Sequence, residues 1–319
     1  MSNTILVTGA AGFIGYHLSK SLLEDGLNVI GIDNLNDYYD INLKNDRLQQ
    51  IIDHENFIFE KIDISNRAEL ESFFLKFKID KVVNLAAQAG VRYSIKNPYA
   101  YMDSNLVGFL NLIECCRHNN IKGFIYASSS SVYGNSSKVP FSVEDKTDAP
   151  ISFYAATKNA NELIANTYSH LYKLNTTGLR FFTVYGPWGR PDMAYFSFAN
   201  KIVQNKPIDV FNNGKMKRDF TYIDDVIFGL KTAINKNFEC EIFNLGNNKS
   251  ENLMDFINLI EKELGIKAII KLKPMQSGDM VETYADISKS KNMLQYDPKI
   301  NIEEGLKEFV KWFKEYHLA

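Results

Sequence analysis

The sequence predicts an α/β protein, a doubly wound parallel sheet joined to a smaller, partly interleaved α/β domain. Two features predict it. Short β-branched runs alternate with helical patterns through the first 183 residues, and a turn-rich stretch then breaks the alternation. At 319 residues with 45% hydrophobic side chains, the chain can bury a substantial core in one large or two small domains. TILVT at 4–8 reads as a buried strand and residues 12–24 as the helix after it. Further strands are expected at 28–33 (NVIGID), 57–62, 81–86 (KVVNLA), 123–128 (GFIYAS) and 177–182. Residues 99–118 place Met102, Leu106, Leu110 and Ile113 at helical spacing. Gly186, Pro187, Trp188, Gly189, Arg190, Pro191 and Asp192 mark where the chain leaves the sheet. Helices at 197–204, 254–264 and 302–316, with a strand at 241–245, make up the looser remainder.

Composition narrows the function. The chain has 36 basic and 38 acidic residues, a formal charge of −2, and no basic cluster. That excludes the electrostatic footprint of a nucleic-acid or anionic-membrane binder. Cys115, Cys116 and Cys240 have neither disulfide-framework nor zinc-site spacing, so no metal is expected. MSNTILVTGA does not read as a signal peptide, and nowhere do about 18 apolar residues run together as a membrane span requires. A cytoplasmic protein is the expectation.

The first strand runs into TGAAGFIG at 8–15 and then a helix. Gly9 suits the tight turn, Gly12 lets backbone approach a pyrophosphate, and Gly15 allows helix to pack on strand. The amides of Phe13, Ile14 and Gly15 open the helix toward the negative phosphates. Asp33 ends the second strand, 24 residues after Gly9, where an acid accepts bonds from an adenosine ribose. A carboxylate there repels a 2′-phosphate, and no arginine is adjacent in sequence, so NAD is favoured over NADP. Asp63 and Ile64 follow a later strand and could flank the adenine, the acid for its amino group and the isoleucine for its face.

YAATK places Tyr154 and Lys158 four apart on one helical face. A phenol with a reference pKa of about 10 becomes a useful base when a neighbouring cation stabilises the phenolate. SSSSVYG at 128–134 lies at the carboxyl end of an expected strand, where open parallel sheets bind ligands. A hydroxyl there could relay a proton to Tyr154.

These segments together, with LAAQAGVR at 85–92, resemble the extended short-chain dehydrogenase/reductase family over nearly the whole chain. The resemblance implies a Rossmann-type fold, Tyr154 as general base, Lys158 on the nicotinamide ribose and Ser129 as the assisting hydroxyl. Leu85 and Ala86 would line the cofactor, and Ser130 and Ser131 would touch substrate. It also implies a homodimer formed through the helices at 99–118 and 154–172.

RFFTVYGPWGRPDMA at 180–194 resembles the UDP-glucuronate 4-epimerases. The resemblance implies that Thr183 and Arg190 face a hexuronate, Arg190 holding its carboxylate, a task suited to a planar guanidinium. RDF at 218–220 points to Arg218 on the UDP diphosphate, and SGDM at 277–280 to Asp279 on the uridine ribose. The implied reaction is reversible 4-epimerisation of UDP-glucuronate to UDP-galacturonate through a 4-keto sugar, with transient hydride transfer to NAD. Residues 1–183, with about 220–247, would bind NAD, and 184–319 mainly the UDP-sugar. Alternatives are a UDP-glucose or UDP-N-acetylhexosamine 4-epimerase, a UDP-glucuronate decarboxylase, or a catalytically inactive NAD-binding protein. A 4,6-dehydratase is disfavoured because Ser130–Ser131 stand where that subfamily carries an Asp-Glu pair.

Overall fold

The computed structural model describes residues 4–136, 138–275 and 280–318. Seven parallel strands form one sheet: β1 (Thr4–Thr8), β2 (Asn28–Asp33), β3 (Phe57–Lys61), β4 (Lys81–Asn84), β5 (Gly123–Ser129), β6 (Thr176–Phe181) and β7 (Cys240–Leu245). The spatial order is β7-β6-β5-β4-β1-β2-β3. Each expected strand of the sheet is present, with ends moved by one or two residues. β7 returns to the sheet beside β6 after the chain has built much of its second part. That return is the expected interleaving.

The strands read as nearly continuous apolar runs because helices cover both faces. Ile5 and Val7 of β1 point into one core cluster and Leu6 into the other. Helices α1 (Phe13–Glu24), α2 (Ile41–Gln49), α3 (Arg67–Lys76), α4 (Gly108–His118) and α5 (Phe153–Tyr172) connect the first strands. The strand order reverses between β1 and β4, and the crevice above their carboxyl ends is the natural ligand site of such a sheet.

The expected helix at 99–118 is broken. A one-turn helix, Pro98–Tyr101, leads into a π-helical segment, Met102–Val107, before α4. The wider turn shifts the helix phase. Met102 and Leu110 therefore point outward, at 46% and 44% exposure, while Phe109, Leu112 and Ile113 fill the core. Gly108 occurs where a Cβ would come within 2.6 Å of Ile64.

The second part is built from short strand pairs. Thr183–Tyr185 runs parallel to Phe220–Tyr222. Lys217–Arg218 lies between Glu251–Asn252 and Glu282–Thr283. Its aromatic core includes Phe220 stacked on Phe256 at 4.1 Å and Phe309 edge-on to Tyr195 at 4.8 Å.

Candidate active site

A cavity of about 850 Å³ opens above the crevice between β1 and β4. Gly9, Gly12, Phe13, Ile14, Gly15, Asp33, Asp63, Ile64, Leu85 and Ala86 line one end. Ser129, Ser130, Ser131, Tyr154, Lys158, Thr183, Arg190 and Arg218 line the rest. Residues far apart in sequence thus share one space. Asp279 lies outside the described residues.

The glycine turn has the shape expected for a dinucleotide. Gly9 sits at φ +69°, and a Cβ there would meet the backbone of Ala86 at 2.9 Å. At Gly15 a Cβ would fall 2.0 Å from the Gly9 carbonyl oxygen. The third glycine therefore lets α1 close on the turn itself, rather than on the strand. Gly12 starts α1 without a side-chain cap, leaving its first amides to face the cavity. This cradle suits a pyrophosphate, so the local fit to NAD is good.

Asp33 accepts hydrogen bonds from the amides of Ala11 (3.2 Å) and Leu35 (2.8 Å). Burial pushes its carboxyl pKa up, with Lys44 opposing. Sequence proximity missed two cations here. Lys44 and Arg47, from α2, both lie within electrostatic reach of Asp33. Lys44 is held by the backbone and side-chain oxygens of Asn36 at 2.8 and 2.9 Å, while Arg47 is spent on backbone carbonyls. The case against a 2′-phosphate therefore rests on the Asp33 carboxylate, not on the absence of nearby positive charge. Asp63 accepts from Asn34 at 2.8 Å and from the Ser65 amide and hydroxyl at 2.8 and 2.7 Å.

At the catalytic end, Tyr154 and Lys158 share a face of α5, whose N-cap Ser152 bonds the Ala155 amide at 3.1 Å. Burial pushes the Tyr154 phenol up, while its hydrogen bond with Ser129 and the charge of Arg190 pull it back. Lys158 stands one turn further along the same face. Its ammonium donates to the Ala127 carbonyl at 2.8 Å, and burial brings its pKa down to about 8 against the opposing charge of Glu162. Ser129 also accepts from the Ser131 amide at 3.2 Å, which folds the serine run into a tight turn beside the phenol.

Glu162 was not singled out from sequence, although it stands one turn beyond Lys158. Its carboxylate takes both prongs of Arg180, at 2.9 and 2.7 Å, and the Ser128 hydroxyl at 2.5 Å. Arg180 also donates to the Tyr133 hydroxyl at 2.9 Å. The pair is almost fully buried beneath the catalytic face. Arg190 reaches the cavity, and its guanidinium pairs with Asp192. Arg218 donates to the carbonyls of Lys217 and Val281 at 2.8 and 3.2 Å.

A parallel sheet with this strand order, a glycine cradle and a Tyr/Lys/Ser constellation at its carboxyl edge define a nucleotide-dependent oxidoreductase-like class. The profile of the NAD dependent epimerase/dehydratase family matches residues 5–246, and the chain belongs to that family. A UDP-glucuronate 4-epimerase of Thermodesulfobacterium geofontis is 46% identical over 311 residues, spanning 97% of this chain and 96% of that protein. The crystal structure of the UDP-glucuronic acid 4-epimerase of Bacillus cereus with UDP-glucuronic acid and NAD superposes with a TM-score of 0.93 at 36% identity, covering 98% of this chain and 100% of that one. The UDP-glucose 4-epimerase of Thermotoga maritima, solved with UDP-glucose, gives 0.87 at 31% identity, covering 98% and 99%.

Proposed function

We propose that this chain interconverts UDP-glucuronate and UDP-galacturonate by NAD-dependent 4-epimerisation. The observation that carries the reading is one cavity lined by Tyr154, Ser129 and Arg190, in which the phenol hydrogen-bonds Ser129 and feels the charge of Arg190. The likeness to UDP-glucuronate 4-epimerases supports the same substrate.

Gly9, Gly12, Gly15, Asp33 and Lys158 would hold NAD, which supplies a reversible hydride acceptor at the sugar C4. Tyr154 takes the proton of the 4-hydroxyl and later returns it, and Ser129 shares that proton through its hydrogen bond. The charge of Lys158 and that of Arg190 favour the phenolate. Arg218 grips the diphosphate, the unreactive half, so the 4-keto sugar turns over while the nucleotide stays fixed. Arg190 and Thr183 hold the uronate carboxylate. A 4-keto uronate is a β-keto acid, and it keeps its carboxylate only while the C5–C6 bond stays out of line with the carbonyl π system.

A charged hydrogen bond contributes about 1.5–3 kcal/mol, so the Arg190 contact is worth roughly 10- to 150-fold in preference over UDP-glucose. The test is incubation of purified protein with UDP-glucuronate, resolving galacturonate, pentose and unsaturated products, with UDP-hexoses and UDP-N-acetylhexosamines in parallel. Turnover of UDP-glucose without UDP-galacturonate formation would replace the uronate reading with a neutral-sugar epimerase. Full turnover by Tyr154→Phe would refute Tyr154 as the base.

We also propose that residues 184–319 supply most of the UDP-sugar site and that two copies associate. Tyr99, Leu163 and Leu171, on the helices expected to dimerise, are 78%, 65% and 59% exposed. The exposed thiol of Cys240 suits a reducing compartment such as the cytoplasm. No helix among the described residues is long and apolar enough to cross a membrane. The product would feed the synthesis of acidic polysaccharides.

A further inference from the structure

Three consecutive backbone carbonyls, those of Pro187, Trp188 and Gly189, immediately precede Arg190. Each is held by a side chain more than 140 residues away in sequence. The Nε2 of His17, on α1, lies 2.9 Å from the Pro187 oxygen. Burial brings this imidazole down to about pKa 4, so near neutral pH the ring is uncharged and acts as an Nε2–H donor to the carbonyl. Arg47, on α2, donates from Nε to Trp188 at 2.9 Å and from Nη2 to Gly189 at 2.8 Å.

The remaining nitrogen of Arg47 reaches the other way. Its Nη1 donates to the carbonyl of Ala11, inside the glycine turn, at 3.0 Å, and to the Tyr39 hydroxyl at 2.7 Å. Ala11 in turn gives its amide to Asp33 at 3.2 Å. One fully buried guanidinium therefore ties the dinucleotide turn to the segment that carries Arg190. Its hydrogen-bond partners are three carbonyls and a phenol, so what it contributes is geometry: a planar fork that fixes several acceptors at once.

The clamped segment is not one that would hold its shape unaided. Trp188 has φ +58°, the left-handed region that a bulky side chain rarely adopts, and such a conformation persists only where its surroundings over-determine it. Its ring is wedged against Trp312 and Tyr316, at 5.3 and 5.1 Å. At Gly189 a Cβ would fall 1.8 Å from the Tyr195 hydroxyl, so the chain passes there without clearance.

We propose that Arg47 and His17 are positioning residues for substrate selection: by pinning 187–189 to the glycine turn, they set where the Arg190 guanidinium stands relative to the cofactor end of the cavity. The inference rests on the reading of Arg190 as the uronate anchor. A displacement of a recognition group by about 1 Å is enough to cost on the order of 100-fold in rate. Replacing Arg47 with lysine keeps the charge but loses the fork.

The test compares wild type, Arg47→Lys, Arg47→Gln and His17→Leu. Calorimetric titration gives the affinity for UDP-glucuronate and UDP-glucose, steady-state assays give kcat/KM for both, and thermal midpoints are recorded. The uronate-over-hexose ratio should fall on the order of tenfold or more in the Arg47 variants, and by less in His17→Leu. UDP-glucose affinity should be nearly unchanged. Equal losses toward both substrates, or a lowered midpoint with the ratio intact, would reduce both residues to a structural role and overturn the proposal. Should the Arg47 variants not fold, His17→Leu decides alone, because it releases Pro187 without altering the cavity lining. A wild type with no preference for the uronate sinks the uronate reading and this inference with it. A wild-type preference that survives every substitution sinks only the clamp.

Discussion

Arg190 and Asp192 form a two-point ion pair, Nε to Oδ1 at 3.0 Å and Nη2 to Oδ2 at 2.5 Å, and the Tyr38 hydroxyl donates to the same carboxylate at 3.3 Å. The group proposed to grip a uronate thus already holds an acid two residues along the chain. A resident carboxylate neutralises the guanidinium and competes with an incoming one. Asp192→Asn should therefore lower KM for UDP-glucuronate by about three- to tenfold, a fraction of the full worth of a charged hydrogen bond because the pair is part-exposed. A KM that rises or stays level would show that Asp192 orients Arg190 rather than competing for it.

Removing Glu162 should act on both stability and catalysis. Glu162→Gln leaves Arg180 buried without its counter-charge, a loss of about 3–5 kcal/mol in unfolding free energy by denaturant titration. The same carboxylate supports the charge of Lys158, whose pKa burial has brought to about 8. Without it that pKa falls further, and the alkaline limb of the pH–rate profile should move to lower pH. An unmoved limb would detach Glu162 from catalysis.

The buried imidazole of His17 predicts a stability change with pH. Its pKa is about 4 in the folded chain, lowered by burial, against 6.5 when unfolded. Between these values the unfolded chain binds the extra proton, so the contribution is fully present above about pH 6.5 and is lost as pH falls toward 4. Wild type should lose roughly 2–3 kcal/mol more than His17→Gln across that window. Parallel stability curves for the two proteins would contradict this.

Carboxylate retention supplies a fourth expectation. Arg190→Ala and Thr183→Ala should release carbon dioxide and yield a UDP-pentose alongside any epimer, detectable by chromatography with a carbon-dioxide assay. Loss of the Arg190 contact should also narrow the preference for uronate over UDP-glucose by roughly 10- to 150-fold. Clean epimerisation at wild-type rates in both variants would exclude the proposed restraint.

The local patterns were sufficient for much of this molecule. Strand β1 and the glycine turn were legible because an apolar run ending in Gly9 states both its period and its turn geometry, here φ +69°. Tyr154 and Lys158 were legible because four-residue spacing on a helix fixes their common face. The outward rotation of Met102 and Leu110 was not, since it comes with a π-helical segment whose Asn105 bonds Gln88 and Thr157 across the fold, contacts that helical spacing does not announce.

What sequence alone determined was the set of parts: the alternation that makes a parallel sheet, the turn for a pyrophosphate, the base with its lysine, and Arg190 in a distinctive loop. The tertiary structure decided the electrostatics among them. Arg180 on Glu162, Tyr38 on Asp192, Lys44 near Asp33 and Arg47 across to Gly189 are contacts whose meeting depends on the packed fold. Burial then sets the charge state, because the energy of ionising a phenol or an ammonium depends on all the groups the fold packs around it.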